Sequence, residues 1–297
     1  MNPIDFLRRV NAARRRSLWY REDVGLPLTS FEAYSEALST AAAPRRRVLF
    51  YPELPSRWSI ASKICTALRY EVSNDPARPA DVAVWYENTT YPTSDRSVLP
   101  PGLGVVNAGC CDISKRRVGI AFEAAFGYPL TIDPTTYDGP MVEKSDENYA
   151  HDGVVLAGPI AAPRPDRVYQ VCVDAREGDD VFIDYRTHVS GGHIPVVFRK
   201  PRPSGERRFA DVLDCEMRDP ADVFDAEERR RILALCDHMG VEFAELDILR
   251  DRETGRIYVV DVNVTPAGPR HEMSSADRIG AVRRMADAFD ALVTSKL

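Results

Sequence analysis

The sequence predicts a mixed α/β (α+β) chain, with a short parallel unit first and then a body organised around β-hairpins. Three observations carry this. A strand–helix–strand series runs from Val48 to Asn107, two hairpins of alternating polarity occupy 181–200 and 241–264, and capped amphipathic helices lie between and after them. With 297 residues, 44% of them hydrophobic and 28% charged, the chain can form about two domains and bury a substantial core.

The parallel unit is read from Val48–Tyr51 and Asp81–Tyr86, two short apolar strands, with a third at Gly104–Asn107. Between the first two, residues 58–69 place Trp58, Ala61, Ile64 and Leu68 on one helical face. Residues 87–103, rich in Pro, Thr and Ser, read as a loop. Asp112 or Ser114 caps a helix over 115–126 that stops at Gly127. A strand at 139–145 ends in Lys144-Ser145; loop 146–153 and strand 154–156 follow, and then a strand at 167–173. One helix is expected over 219–239, with Asp219 and Asp225 as caps and Gly240 as stop, and a final helix begins at Ser274.

Composition narrows the function. A net charge of −6 argues against general nucleic-acid binding. The six Cys lack CxxC or CxxH spacing, so neither a zinc site nor a disulfide framework is indicated, and the expected compartment is a reducing cytoplasm. No apolar run approaches the ~18 residues of a membrane span, and the N-terminal stretch lacks the apolar segment of a signal peptide. Residues 1–45 read as an Arg-rich helical arm, with Ile4, Leu7, Val10 and Ala13 on one face ahead of Arg14, Arg15 and Arg16. Packing on the body is the expectation for it, and an anionic partner or membrane surface the alternative.

The hairpin at 241–264 carries the chemistry. A turn centred near Thr254 sets Asp247 across from Asp261 and Glu245 across from Asn263. Leu246 and Ile248 then face the core, as do Tyr258, Val260, Val262 and Val264, while Ile257 and Val259 share the face of Asp261. Carboxylates so opposed lie ~5 Å apart and repel unless a cation sits between them. Two carboxylates and an amide oxygen are hard ligands, suited to Mg²⁺ that also holds substrate phosphates. The plain alternative is a solvated polar face, but Asp and Asn are depleted in strands and these sit mid-strand. In the other hairpin, Asp184, Arg186 and His188 share a face, and the turn Ser190-Gly191-Gly192-His193 sets Asp184 opposite Arg199 as an ion pair. His188 reads as a neutral sheet-face histidine rather than a base. Lys200, Arg202, Arg207 and Arg208 extend the basic stretch, as a solvated loop or as a site for an anionic substrate.

Asp247, followed by Asp261-Val262-Asn263-Val264-Thr265-Pro266, resembles the metal-binding end of the ATP-grasp superfamily, to which D-alanine–D-alanine ligase, glutathione synthetase and ribosomal-protein glutamate ligases belong. The resemblance implies an ATP-grasp fold over 113–297, divided at 165/166, behind a small pre-ATP-grasp α/β domain at 46–112. It implies Mg²⁺, or Mn²⁺ in its place, on Asp247, Asp261 and Asn263, and ATP phosphates on Lys115 and Lys144. Adenine would meet the backbone of Gln170, Val171, Cys172 and Val173, with Asp174 at the ribose, though any exposed Asp at a strand end would look the same. Asp184-Tyr185-Arg186 resembles the Asp-x-Arg of the glutamate-ligase branch, and Arg199 its later phosphate-contacting Arg. There are departures. Asp261 is shorter than the usual Glu, Glu245 stands where members often carry Arg, and loop 146–153 has one Gly and three acids, leaving Asn148 or His151 as its phosphate contacts.

The implied activity is an ATP-dependent carboxylate–amine ligase working through an acyl phosphate, with small-molecule or peptide acid and amine substrates. Arg186 would stabilise the oxyanion and Arg199 the phosphates. A phosphotransferase acting on a hydroxyl is the alternative enzyme, and a nucleotide-binding regulatory module the alternative of another class. Monomer and homodimer both stay open.

Overall fold

The computed structural model describes residues 45–148, 150, 152–178, 180–203, 212–270 and 273–297. The expected arm lies outside them apart from Arg45, as do Tyr149, His151, Arg207 and Arg208.

Three sheets result. In the first, β1 (Arg47–Pro52), β2 (Glu71–Ser73), β3 (Val82–Tyr86) and β4 (Val105–Val106) run parallel in the order β2-β1-β3-β4. All five residues of β3 are buried, as a parallel strand covered on both faces requires. Helix α1 (Ile60–Ala67) starts where Ser59 Oγ accepts from Ser62 N at 3.1 Å, and it buries Ile60, Ala61, Ile64 and Cys65. Just past β4, Asn107 takes φ +61°, a left-handed conformation that Asn tolerates better than most residues. Its Oδ1 accepts from Glu242 N (2.7 Å) and Phe243 N (2.9 Å), and its Nδ2 donates to Phe243 O (2.9 Å). One buried amide thus joins the first sheet to the start of a strand 136 residues away.

Helix α2 (Lys115–Phe126) is capped by Ser114 and closed by Gly127 in the left-handed region, as expected. The second sheet is antiparallel, in the order β6-β5-β7, built from β5 (Pro140–Ser145), β6 (Val154–Ala157) and β7 (Arg167–Val171).

The third sheet has the order β11-β10-β9-β12-β13, from β9 (Val181–Ser190), β10 (His193–Pro203), β11 (Glu216–Arg218), β12 (Phe243–Arg250) and β13 (Ile257–Asn263); β8 (Arg176–Glu177) pairs with β9. On one face Val189, Val197, Leu246, Ile248, Val259 and Val262 form the main core with residues of α2 and α4 (Ala226–Met239). On the other, α5 (Ser275–Ser295) packs against β9 and β10, and Phe289 meets Phe243 edge-on at 5.2 Å. The helix expected over 219–239 is two: α3 (Pro220–Val223), then α4. The break comes because Asp225 forms a capping box with Glu228 and starts a new helix.

Two bulges correct the expected registers. Ser190 pairs with His193, but His188 pairs with Val196, so Asp184 faces Lys200 and not Arg199. A straight register would make His188 and Pro195 a hydrogen-bonded pair, since every second pair after the turn exchanges N–H···O bonds. Proline has no N–H to give, and the strand bulges there instead. In the other hairpin Asp247 faces Asp261 and Glu245 faces Asn263, as expected, but Ile248 faces Val259. Val260 is the extra residue, and Val259 joins the core beside Val262 in place of lining the polar face.

Candidate functional site

The polar face of the central sheet is a lattice of paired charges. Arg186 sits opposite Asp247 in the β9–β12 ladder and grips it with both arms, Nε to Oδ1 at 2.8 Å and a terminal nitrogen to Oδ2 at 3.0 Å. Burial pushes the Asp247 carboxyl up, but Arg186, with Lys200 beyond it, holds it well below the usual carboxylate range. Glu245 is 2% exposed, lies 3.6 Å from Arg186, and its Oε2 has no hydrogen-bond partner. Burial pushes it up to about 7, against the pull of Arg186. Opposite Glu245, His188 is fully buried with neither ring nitrogen partnered, and burial takes it down to about 3. It packs edge-on against Phe243 at 5.1 Å.

The edge strand brings Asp261 and Asn263 to the same face. Lys115, the first residue of α2 and 7% exposed, reaches Asp261 Oδ1 at 2.5 Å and also donates to Asn148 Oδ1. Asn263 Oδ1 accepts from Thr265 N at 2.9 Å, which fixes the amide at the closing turn. Lys144 of β5 donates to Val260 O at 3.1 Å, so the bulge that displaces Val260 supplies the acceptor that ties the two sheets. Burial, then the charge of Lys115, brings Lys144 down to about 8. Lys115, Lys144, Arg186, Asp247, Asp261 and Asn263 therefore converge.

Arg199 does not join them. It pairs across from Tyr185 and so turns to the opposite face, where it binds Glu177 and Glu216. Its expected partner Asp184 holds Lys200 Nζ at 3.1 Å and Arg202 at 2.7 Å. Lys200 and Arg202 are thus the cations that β10 contributes, and Pro195 was the signal for them. At the end of β7, Val171 N–H donates to Leu130 O and, one residue on, Cys172 N–H to Pro140 O, so these amides are engaged within the protein. Gln170 shares the Lys144 side of its sheet and keeps an unpartnered Nε2, and Val173 is buried. Asp174, three residues past β7, is gripped by Arg176 at 2.6 Å and Arg252 at 3.1 Å; its bond to Arg176, above all, lowers its pKa.

No protein-family model matches the sequence, and neither does any curated protein. Solved structures do. D-alanine–D-alanine ligase from Bacillus anthracis aligns over 86% of this chain and 98% of its own, at 13% identity and a TM-score of 0.52. The chain has the ATP-grasp fold. VanG D-Ala:D-Ser ligase from Enterococcus faecalis aligns over 73% of this chain and 74% of its own (11% identity, TM-score 0.50). The ATP-grasp ligase PsnB, complexed with a precursor peptide and AMPPNP, aligns over 86% and 99% (12% identity, TM-score 0.50). In another PsnB complex the match spans 65% of that chain.

Within the ATP-grasp fold the donor set suits Mg²⁺. Among the described residues no three His, Cys, Asp or Glu side chains could hold a metal by themselves. Asp247, Asp261 and Asn263 bring hard oxygen donors of the type Mg²⁺ takes alongside phosphates and water, and in this structure Arg186 grips both oxygens of Asp247 while Lys115 holds Asp261 Oδ1. Among the described residues no helix is long and apolar enough to cross a membrane.

Proposed function

We propose that this protein is an ATP-dependent ligase joining a carboxylate to an amine. The observation that supports it most is the convergence of Asp247, Asp261 and Asn263 with Lys115, Lys144 and Arg186 in one contact network of an ATP-grasp fold. Asp247, Asp261 and Asn263 would hold Mg²⁺, which supplies positive charge to phosphate oxygens when bound. Lys115 and Lys144 bind and orient the ATP phosphates. Lys200 and Arg202 take the phosphate-side role first expected of Arg199, and Asp184 positions them. In this reading the substrate carboxylate attacks the γ-phosphate and ADP leaves; the amine then attacks the acyl phosphate and expels phosphate. Arg186, its planar fork aimed by Asp247, stabilises the carbonyl oxygen as it gains charge. No nucleophilic side chain is needed, since positioning and charge stabilisation carry the reaction. Residues 46–112 would act as the substrate-holding domain and 113–297 as the ATP-grasp domain.

The test is a screen of amino acids and short peptides for ADP release, singly and in pairs, with hydroxylamine as a trap. A ligase forms a hydroxamate from the true acid and releases ADP with product only when acid and amine are both present. ADP formed with a single hydroxyl acceptor, and no hydroxamate, would make it a phosphotransferase. No ADP under any pairing would leave a binding module.

A further inference from the structure

Asn148 makes contacts that the proposed chemistry does not require. Its side chain is wedged between α2 and β13: Oδ1 accepts from Lys115 Nζ, and Nδ2 donates to Val262 O at 3.3 Å. Its backbone N–H donates to Thr90 Oγ1 at 2.9 Å, which anchors it to the loop after β3. Asp146, in the same loop, sits on the start of α2. Its Oδ1 accepts from Arg116 N at 2.9 Å, its Oδ2 from Arg116 Nε at 3.2 Å, and its carbonyl from Lys115 N at 3.3 Å. Tyr91 donates its hydroxyl to the same carboxylate at 3.1 Å.

A helix N-terminus and a buried lysine are the groups an oxyanion uses. Here one loop fills both with its own oxygens. The composition of that loop agrees: Asp146, Glu147 and Asp152 stand where a phosphate cradle needs free backbone amides, and Asp152 accepts from Ser145 N at 3.0 Å and pairs with Arg167. The loop is built to satisfy the protein's own cations.

We propose that Asn148, supported by Asp146, is an internal competitor for the phosphate site, holding Lys115 and the α2 N-terminus until a nucleotide displaces it. This deepens the nucleotide-binding reading and rests on it. The latch sets nucleotide affinity below what the cations alone would give, and the Thr90–Tyr91 loop controls how firmly it is set.

Calorimetry and stopped-flow binding of Mg-ADP to the full chain decide the matter, comparing wild type with Asn148→Ala. The variant should bind at least ~5-fold more tightly and associate faster, the effect of one lost competing hydrogen bond. Thr90→Val removes the latch's anchor without touching the loop, and it serves the same comparison if Asn148→Ala does not fold. Affinity unchanged or weakened in the variant overturns the latch, because Asn148 would then be a bystander or a phosphate contact. Absence of Mg-ADP binding in wild type and variants alike overturns the nucleotide reading itself, a result distinct from unchanged affinity.

Discussion

His188 and Glu245 face each other across the β9–β12 ladder and should titrate stability in opposite directions. Unfolded His188 binds a proton below about 6.5, whereas the buried ring resists until about 3. Between those values the unfolded state holds more protons, so stability is lost as pH falls. Glu245 is the reverse. Its buried carboxyl stays protonated up to about 7 while the unfolded side chain ionises near 4.5, so its contribution is complete below 4.5 and lost as pH rises through 7. Between pH 7 and 5 each amounts to about 2 kcal/mol, with opposite sign, so in wild type the pair contributes almost no slope. His188→Phe should therefore gain about 2 kcal/mol, relative to its own value at pH 7, when taken to pH 5, and Glu245→Gln should lose about as much. Urea unfolding at half-unit pH steps reads both slopes, and absolute differences between the proteins do not enter. Profiles parallel to wild type for both variants would refute the burial argument.

Arg186→Met leaves the buried Glu245 and the half-buried Asp247 without their cation and should cost about 2–4 kcal/mol at pH 8, somewhat less than a fully buried broken pair; part of the loss should return at pH 5 in urea titrations, as Glu245 takes up a proton. Asn107→Ala removes three hydrogen bonds at a left-handed residue and should cost about 2–4 kcal/mol in the same assay, while Asn107→Asp, which keeps the two acceptor contacts, should cost less. Asp261→Asn should weaken the Mg²⁺ dependence of ADP binding in calorimetry at least ~10-fold, or ~1.4 kcal/mol, and an unchanged Mg²⁺ titration would remove Asp261 from the ligand set. Lys200→Ala should weaken Mg-ADP binding at least ~5-fold more than Arg199→Ala, and equal effects would mean that the face each occupies has no bearing on binding.

Much of this was legible in the chain because local rules dominate it. The caps at Ser114 and Ser274, the stops at Gly127 and Gly240, and the facing of Asp247 and Asp261 follow from short-range patterns. The errors are of another kind. The expected Asp184–Arg199 pair fails by one residue because Pro195, lacking an N–H, shifts the ladder and sets Lys200 opposite Asp184. The Val260 bulge leaves no comparable mark, and the core position of Val259 emerges only from packing against α2 and α4. β2, β8 and β11 are two or three residues long, too short for any periodicity. Asn148 is a long-range contact whose partners, Lys115, Thr90 and Val262, are scattered over the sequence.

The pairing of charges at this site has a kinetic consequence. Asp184 holds Lys200 and Arg202, Asp247 holds Arg186 and Asp261 holds Lys115, so each of these four cations is already paired with a protein carboxylate, in a chain whose net charge is −6. An arriving polyphosphate therefore meets cations already engaged, and its capture is ion exchange: protein carboxylates give up lysines and arginines as phosphate oxygens take them. Association should then run well below the diffusion-steered regime, because these pairs must open before phosphate is held.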